Sequence, residues 1–326
     1  QIVQCGSYAE ALQQLRSEGL EVDVSTMVRV AVATGREALE RRDNALAHAL
    51  EEPLPDRSLV EGRRIRVSID GGRSRIRNTH TERRKQKNGR RPFEVPWREP
   101  RLITLDILTE EGKLDPEVPP IYEADLGNAD RIFDLVAGLL RLIGAHRAIE
   151  VVFVSDGADW IWDRVDRLIQ RAGLQPARVH KILDYYHASE HVSDALKACK
   201  NLPDKERKVL HKTLCRKMLE PDGIDDVLQQ LSALARGRRA KRVNKEIRYL
   251  EKHLAHMRYA EWRAAKVPIG SGIVESAIRR VINLRFKAPS TFWREDHLAA
   301  LLYLRCLLKA GRWDDFMVAN LRQKHW

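Results

Sequence analysis

Val151-Val152-Phe153-Val154-Ser155-Asp156-Gly157 is a short run of β-branched and aromatic residues that ends in an acid and a glycine. A run of this kind, too short for a buried helix, predicts a buried strand over residues 149–154. An earlier stretch repeats the arrangement, Val67-Ser68-Ile69-Asp70-Gly71-Gly72. There the alternation puts Ile65, Val67 and Ile69 on one face of a strand over residues 64–70. Two acids thus leave the ends of two strands, 86 positions apart.

Between these strands the pattern predicts two more, over residues 102–108 and within 118–126. A helix over 129–143 follows, capped by Asn128, with Ile132, Phe133, Val136, Leu139 and Leu140 as its apolar stripe. Beyond Asp156 come a helix over 160–172 and a fifth strand over 178–183, which runs into Asp184-Tyr185-Tyr186-His187. The order β-β-β-α-β-α-β predicts an α/β fold, a five-stranded mixed sheet with flanking helices. Residues 1–60 read as a helical N-terminal segment, with helices over 7–18, 25–35 and 36–49 and a cap at Val24-Ser25-Thr26. A short helix, a break at Gly19 and a second helix have the outline of a helix-turn-helix end for DNA contact or dimerisation. The same pattern also suits a helical lead-in packed on the core. A Pro- and charge-rich connector over 51–63 marks the boundary. Residues 61–187 are the first part of the sheet domain, and 188–266 an all-helical insertion with a basic run at 236–248. Residues 267–326 return to the domain with further helices over 296–309 and 313–321.

The second informative stretch is Pro268-Ile269-Gly270-Ser271-Gly272-Ile273-Val274-Glu275-Ser276-Ala277-Ile278-Arg279-Arg280-Val281. Proline and glycines break the chain, and a helix starts with Glu275 in its first turn, where the helix dipole favours a carboxylate. Carboxylates on rigid elements, far apart in sequence, are what a site for divalent cations beside phosphodiesters requires. Asp70, Asp156 and Glu275 are the candidate ligands. Singly, each acid also reads as a turn residue or helix cap. Asp106 and Asp125 compete near strand ends without the strand-then-glycine context, while Asp159 and Asp163 read as first-turn helix charges. The small residues after each Asp would let a nucleic-acid backbone approach.

Lys and Arg number 58 against 46 Asp and Glu, a formal charge of +12 that draws polyanions, nucleic acid first. Residues 73–91 are densely basic and nearly free of apolar side chains, which predicts a loop or long hairpin tip in phosphate contact through Arg73, Arg75, Arg77, Arg83, Arg84 and Lys85. Arg279, Arg280, Arg285 and Lys287 extend the basic surface along the Glu275 helix, and Trp293, beside Phe292, offers either a stacking surface for a base or a core residue. The 4 cysteines lack CxxC spacing and read as free thiols. His253 and His256 have no Cys or acidic partners for zinc. No signal peptide and no run of 18 apolar residues occur, which implies a soluble intracellular protein. The first residue is Gln, which implies a trimmed chain.

The succession of strand–Asp, strand–Asp–Gly, Asp184-x-x-His187, helical insertion and Gly270-Ser271-Gly272-x-x-Glu275-Ser276 resembles bacterial insertion-sequence transposases of the DDE type, a group related to the Mutator-like superfamily. The resemblance spans residues 64–316 and is densest over 268–287 with Trp293. It implies an RNase H-like core and metal-dependent DNA end cleavage and strand transfer. Asp70, Asp156 and Glu275 take the places of the catalytic acids, holding two Mg²⁺ for which Mn²⁺ can substitute. It implies double-stranded DNA as partner (element ends and target), at least a dimer in synapsis, and a bacterial, nucleoid-associated location. His187 matches the histidine of the family's Asp/Cys-x-x-His motif. It reads either as a group near the scissile phosphate or as a structural histidine bonded to Asp184. A nuclease that cuts without joining, or a DNA-binding protein of transposase descent, would carry much of the same sequence.

Overall fold

The computed structural model describes residues 2–79, 89, 92–288 and 291–323. Helices α1 (Tyr8–Ser17) and α2 (Val24–Glu51) come first. Strand β1 (Arg64–Gly71) is followed by four two-residue strands, β2 (Ser74–Arg75), β3 (Asn78–Thr79), β4 (Phe93–Glu94) and β5 (Trp97–Arg98). Then come β6 (Arg101–Leu108), β7 (Ile121–Asp125), α3 (Ala129–Leu142), β8 (Glu150–Ser155), α4 (Asp159–Arg171) and β9 (Val179–Leu183). The insertion holds α5 (Tyr185–Ala198), α6 (Asp204–Lys217), α7 (Gly223–Leu234), α8 (Ala240–Lys252) and α9 (Tyr259–Ala264). The chain returns through α10 (Gly272–Ala277), a π-helical segment (Ile278–Asn283), α11 (Leu284–Phe286), α12 (Glu295–Lys309) and α13 (Trp313–Gln323).

The main sheet has five strands in the order β7-β6-β1-β8-β9. The β1–β6 and β6–β7 pairs are antiparallel, and β1–β8 and β8–β9 are parallel. This is the mixed, helix-flanked sheet of an RNase H-like α/β fold, as the sequence predicts. Alternation assigns the faces. Ile65, Val67, Ile69, Val151 and Phe153 pack against α3 and α4. Val152 and Val154 face the other way, against α5 and α8. On that second face, over β6 and β7, lie α10, the π segment and α12. Among the described residues no helix is long and apolar enough to cross a membrane. All four cysteines are unpaired and buried.

Two local expectations change. Residues 25–49 form one continuous helix inside the 28-residue α2, with no break at Gly35. Gly35 is a notch: a Cβ there would lie 2.6 Å from the carbonyl oxygen of Ala300, so the glycine lets α12 approach the α2 backbone. The cap of α2 is Asp23, whose carboxylate accepts the Thr26 N–H at 2.7 Å, rather than the residues after it. Asn128 caps α3 as expected, accepting from the Arg131 N–H at 2.9 Å. The basic stretch rises as two antiparallel ladders, β2 with β5 and β3 with β4. Its far end, including Arg83, Arg84 and Lys85, lies outside the described residues.

Replacing Gly35 with Ala is expected to lower stability by up to about 2 kcal/mol in urea unfolding, because overpacking of about 1–3 kcal/mol against the Ala300 carbonyl is offset only in part by a helix-propensity gain of about 1 kcal/mol.

Candidate active site

Asp70 is the next-to-last residue of β1 and Asp156 follows β8, so strand register decides whether they meet. Arg64 pairs with Glu150 and Val67 with Phe153, and continuing that step sets Asp70 beside Asp156. The Ser155 hydroxyl fastens the junction, donating to the Ile69 carbonyl at 2.9 Å. Because Ile69 faces α3 and α4, Asp70 lies on the opposite face, beneath α10. Glu275, exposed on α10, and Asp156 are both close enough to act on the Asp70 charge. Burial pushes the Asp70 carboxyl up from its ordinary value, and the charges of Asp156 and Glu275 add to this. The Gly71 N–H, donating to it at 2.6 Å, and His187 pull the other way.

The competing acids are committed elsewhere. Asp106 is fully buried and accepts from Arg66 at 3.0 Å. Asp125 accepts from the buried Arg42 at 3.1 Å. Asp70, Asp156 and Glu275 have no cationic side chain of this kind bonded to them among the described residues. Their oxygen donors suit a hard divalent cation. Their placement is open, and among the described residues no three His, Cys, Asp or Glu side chains are gathered closely enough to hold an ion. Mutual repulsion of like charges favours that spacing.

The Asp184-x-x-His187 motif divides its labour. Asp184 is fully buried. It accepts the N–H groups of Tyr186 at 2.6 Å and His187 at 3.1 Å, capping α5, and that of Ser271 at 2.5 Å, just before α10. The His187 ring does not bond Asp184; its Nδ1 faces Glu190 at 3.6 Å. The half-buried ring remains near enough to Asp70 to lower its pKa.

The glycines after the acids are filled from within the protein, which replaces the expectation that they admit a nucleic-acid backbone. A Cβ on Gly157 would lie 2.2 Å from the Tyr249 hydroxyl, which accepts the Gly157 N–H at 3.0 Å. A Cβ on Gly72 would lie 2.8 Å from the Ile282 side chain. Tyr249 belongs to α8, so the insertion contributes a side chain next to Asp156; nothing in its own sequence context signals this. The Trp162 indole donates to the Asp156 carbonyl at 2.7 Å and fixes the same turn.

The basic residues part company. Arg73, Arg77, Arg279 and Lys287 are exposed and Arg75 is half-buried. Arg280 is exposed but tethered, donating to the Tyr122 hydroxyl at 2.9 Å. Arg285 and Trp293 are each 3% exposed, so neither lies on a surface that a phosphate or base can reach. Arg285 donates to the Gly6 carbonyl at 3.1 Å and stacks between Tyr8 and Trp293. The sequence held the signal: Arg285 lies seven positions after Ile278, on the stripe with Val281 and Ile282. The π turn exposes backbone carbonyls, and the buried Arg305 takes up those of Arg280, at 2.8 Å, and Val281, at 2.9 Å.

No known protein family matches the chain, and no curated protein matches it. Among solved structures, the Drosophila P element transposase strand transfer complex is similar at 10% identity and a TM-score of 0.27, over 94% of this chain and 86% of that one. At that score the likeness has no bearing on fold or activity.

Two outcomes are expected of these contacts. A carboxyl whose folded-state pKa is raised favours the fold when protonated and costs stability as pH climbs through that pKa. Asp70→Asn is therefore expected to melt higher than the native chain at pH 7–8, with the gap closing toward about pH 4, near the ordinary Asp value. Gly157→Ala is expected to cost about 1–3 kcal/mol by overpacking. Adding Tyr249→Ala should recover part of that loss, a coupling that a double-mutant cycle reads directly.

Proposed function

We propose that the chain is a DDE-type transposase that cuts and joins DNA with Asp70, Asp156 and Glu275 as its metal ligands. The observation that carries this reading is the strand register: the step that pairs Arg64 with Glu150 sets two carboxylates side by side on the face that α10 covers with a third. Their cost, visible in the raised Asp70 pKa, is what a bound divalent cation would relieve. Two Mg²⁺ ions, or Mn²⁺, would supply activation of the attacking oxygen and stabilisation of the leaving oxygen.

The chain's own groups do the positioning. Asp70 and Asp156 are held by strand ends, and Glu275 by a helix whose entry is tied to Asp184. His187 supplies an imidazole near Asp70 that can hydrogen-bond a phosphate oxygen or a water. Arg73, Arg77, Arg279 and Lys287 are the exposed cations in reach of phosphates. Joining two DNA ends calls for a second copy of the chain. The open placement of the acids favours one rival, a DNA-binding protein of transposase descent without turnover. A nuclease that stops at cleavage would use the same carboxylates.

The test incubates the native chain with Mg²⁺ or Mn²⁺ and labelled duplexes cut from the DNA flanking its gene, beside Asp70→Asn, Asp156→Asn and Glu275→Gln. Cleaved and joined products are expected from the native chain. Each variant should lose at least about a hundredfold, more than removal of an outer-shell partner costs. Saturating Mn²⁺ should also raise the native melting temperature, by about 2.7 kcal/mol of stability at a hundred times its Kd, and leave the variants unmoved. Cleavage without joining would mark the nuclease. DNA binding unchanged by chelator, with no product, would overturn catalysis altogether.

A further inference from the structure

Around Arg75 and Arg77 the structure exposes aromatic rings that the carboxylate site does not use. Trp97 is 54% exposed, and Phe93 and Phe292 are each 39% exposed. They are not scattered. The Arg75 guanidinium lies over Trp97 at 5.6 Å and over Phe292 at 5.1 Å. Phe292 meets Phe93 at 5.9 Å between ring centroids, and Arg77 covers Phe93 at 4.3 Å. The result is one continuous row, Trp97–Arg75–Phe292–Phe93–Arg77, of aromatic rings and planar cations.

The row is the outer side of a firm base. Residues alternate across the short ladders, so Ile76 and Trp293 point inward, 1% and 3% exposed, while Arg75, Arg77 and Phe292 point outward. Backbone bonds lock the two segments, Trp293 N–H to Arg75 at 3.0 Å and Arg77 N–H to Trp293 at 2.7 Å. Arg75 also donates to the Ala288 carbonyl at 3.1 Å. A stacking surface held this way loses little entropy when something lies on it.

We propose that this row is a stacking platform for the unpaired bases of a DNA strand next to the cleavage site. Apolar rings alone would suit a protein partner, but guanidinium planes interleaved with rings suit nucleobases, which stack on both, and each Arg adds an attraction for phosphate. The bases of an intact duplex are already stacked on one another, so the occupant is single-stranded. Arg75 lies five residues after Asp70, which places this end of the platform within about 17 Å of Asp70 along the chain. That is the rise of about five nucleotides. The choice of DNA rests on the function proposed above.

The test measures binding by fluorescence anisotropy in chelator, so that it needs neither metal nor turnover, and uses the full chain. The probes are a labelled oligothymidylate of about a dozen nucleotides, a strand of equal length with abasic sites, a blunt duplex hairpin and an oligouridylate. Trp97→Ala with Phe292→Ala is expected to weaken oligothymidylate binding roughly ten- to a hundredfold while the salt slope holds. Duplex binding should not change, and the native chain should bind the abasic strand as weakly as the variant binds oligothymidylate. Arg75→Lys, which keeps the charge and loses the plane, should fall between. Urea midpoints equal to the native value would show that the variants fold. Equal oligothymidylate binding by native and variant would overturn the platform, as would an abasic strand bound as tightly as one with bases, or equal losses for duplex and single strand. Tighter binding of oligouridylate would overturn the choice of DNA. Asp156→Asn should bind every probe as the native chain does while making no product, so the platform and the catalytic reading fail separately.

Discussion

Most of the site depends on the burial of one carboxylate, Asp184. A fully buried acid is costly unless its oxygens are bonded, and here three backbone N–H groups do this, from Tyr186, His187 and Ser271. The Asp184 N–H itself goes to the Ser155 carbonyl at 2.8 Å. One residue therefore joins the end of β9, the end of β8, the first turn of α5 and the entry to α10. Asp156 hangs from the end of β8 and Glu275 from the entry to α10. Ser155 pairs with Leu183, so Asp70, Asp156 and Asp184 stand in line across the ends of three parallel strands. Two of them face the site, and the third holds the frame.

The same junction explains how a long helical insertion can sit inside the domain without loosening it. The insertion leaves and re-enters at adjacent points, where the Tyr185 N–H donates to the Ile269 carbonyl at 2.9 Å. Its helices have an apolar core of their own, built on Val192, Leu214, Leu231, Val243 and Leu250, that continues onto Val152 and Val154 of the sheet. The insertion is thus packed on the face that carries the three acids rather than appended to it, and Tyr249 is its point of entry. Gly157 and Tyr249 fit as a pair, which is why the glycine after the acid is occupied.

What the sequence made legible was what has a period. Alternation in 64–70 and the β-branched run at 149–154 located the strands and the acids at their ends, and the apolar stripe of 129–143 located α3. What it concealed depends on distant neighbours. Gly35 reads as a break until Ala300 is seen against it, and Asp106 reads as a candidate ligand until Arg66 is seen bonded to it. Trp293 sits in a basic, aromatic stretch that suggests a surface, yet Tyr8 and Phe286 enclose it. Tyr249 could not be found at all, since only the fold of the insertion brings it to Asp156.

The buried guanidinium of Arg305 has a second set of partners. Besides the carbonyls of Arg280 and Val281, it donates to those of Val3 and, at 3.4 Å, Gln4. Arg285, on α11, reaches Gly6. Burial and the neighbouring Arg285 charge bring the Arg305 pKa down to about 10, which leaves it charged at neutral pH. The first residues of the described chain are therefore fastened to α11 and α12 by two buried cations, and Arg305 binds in the same grip the π segment that continues from α10, so drawing these residues away would orphan donors that also hold the Glu275 stretch in place.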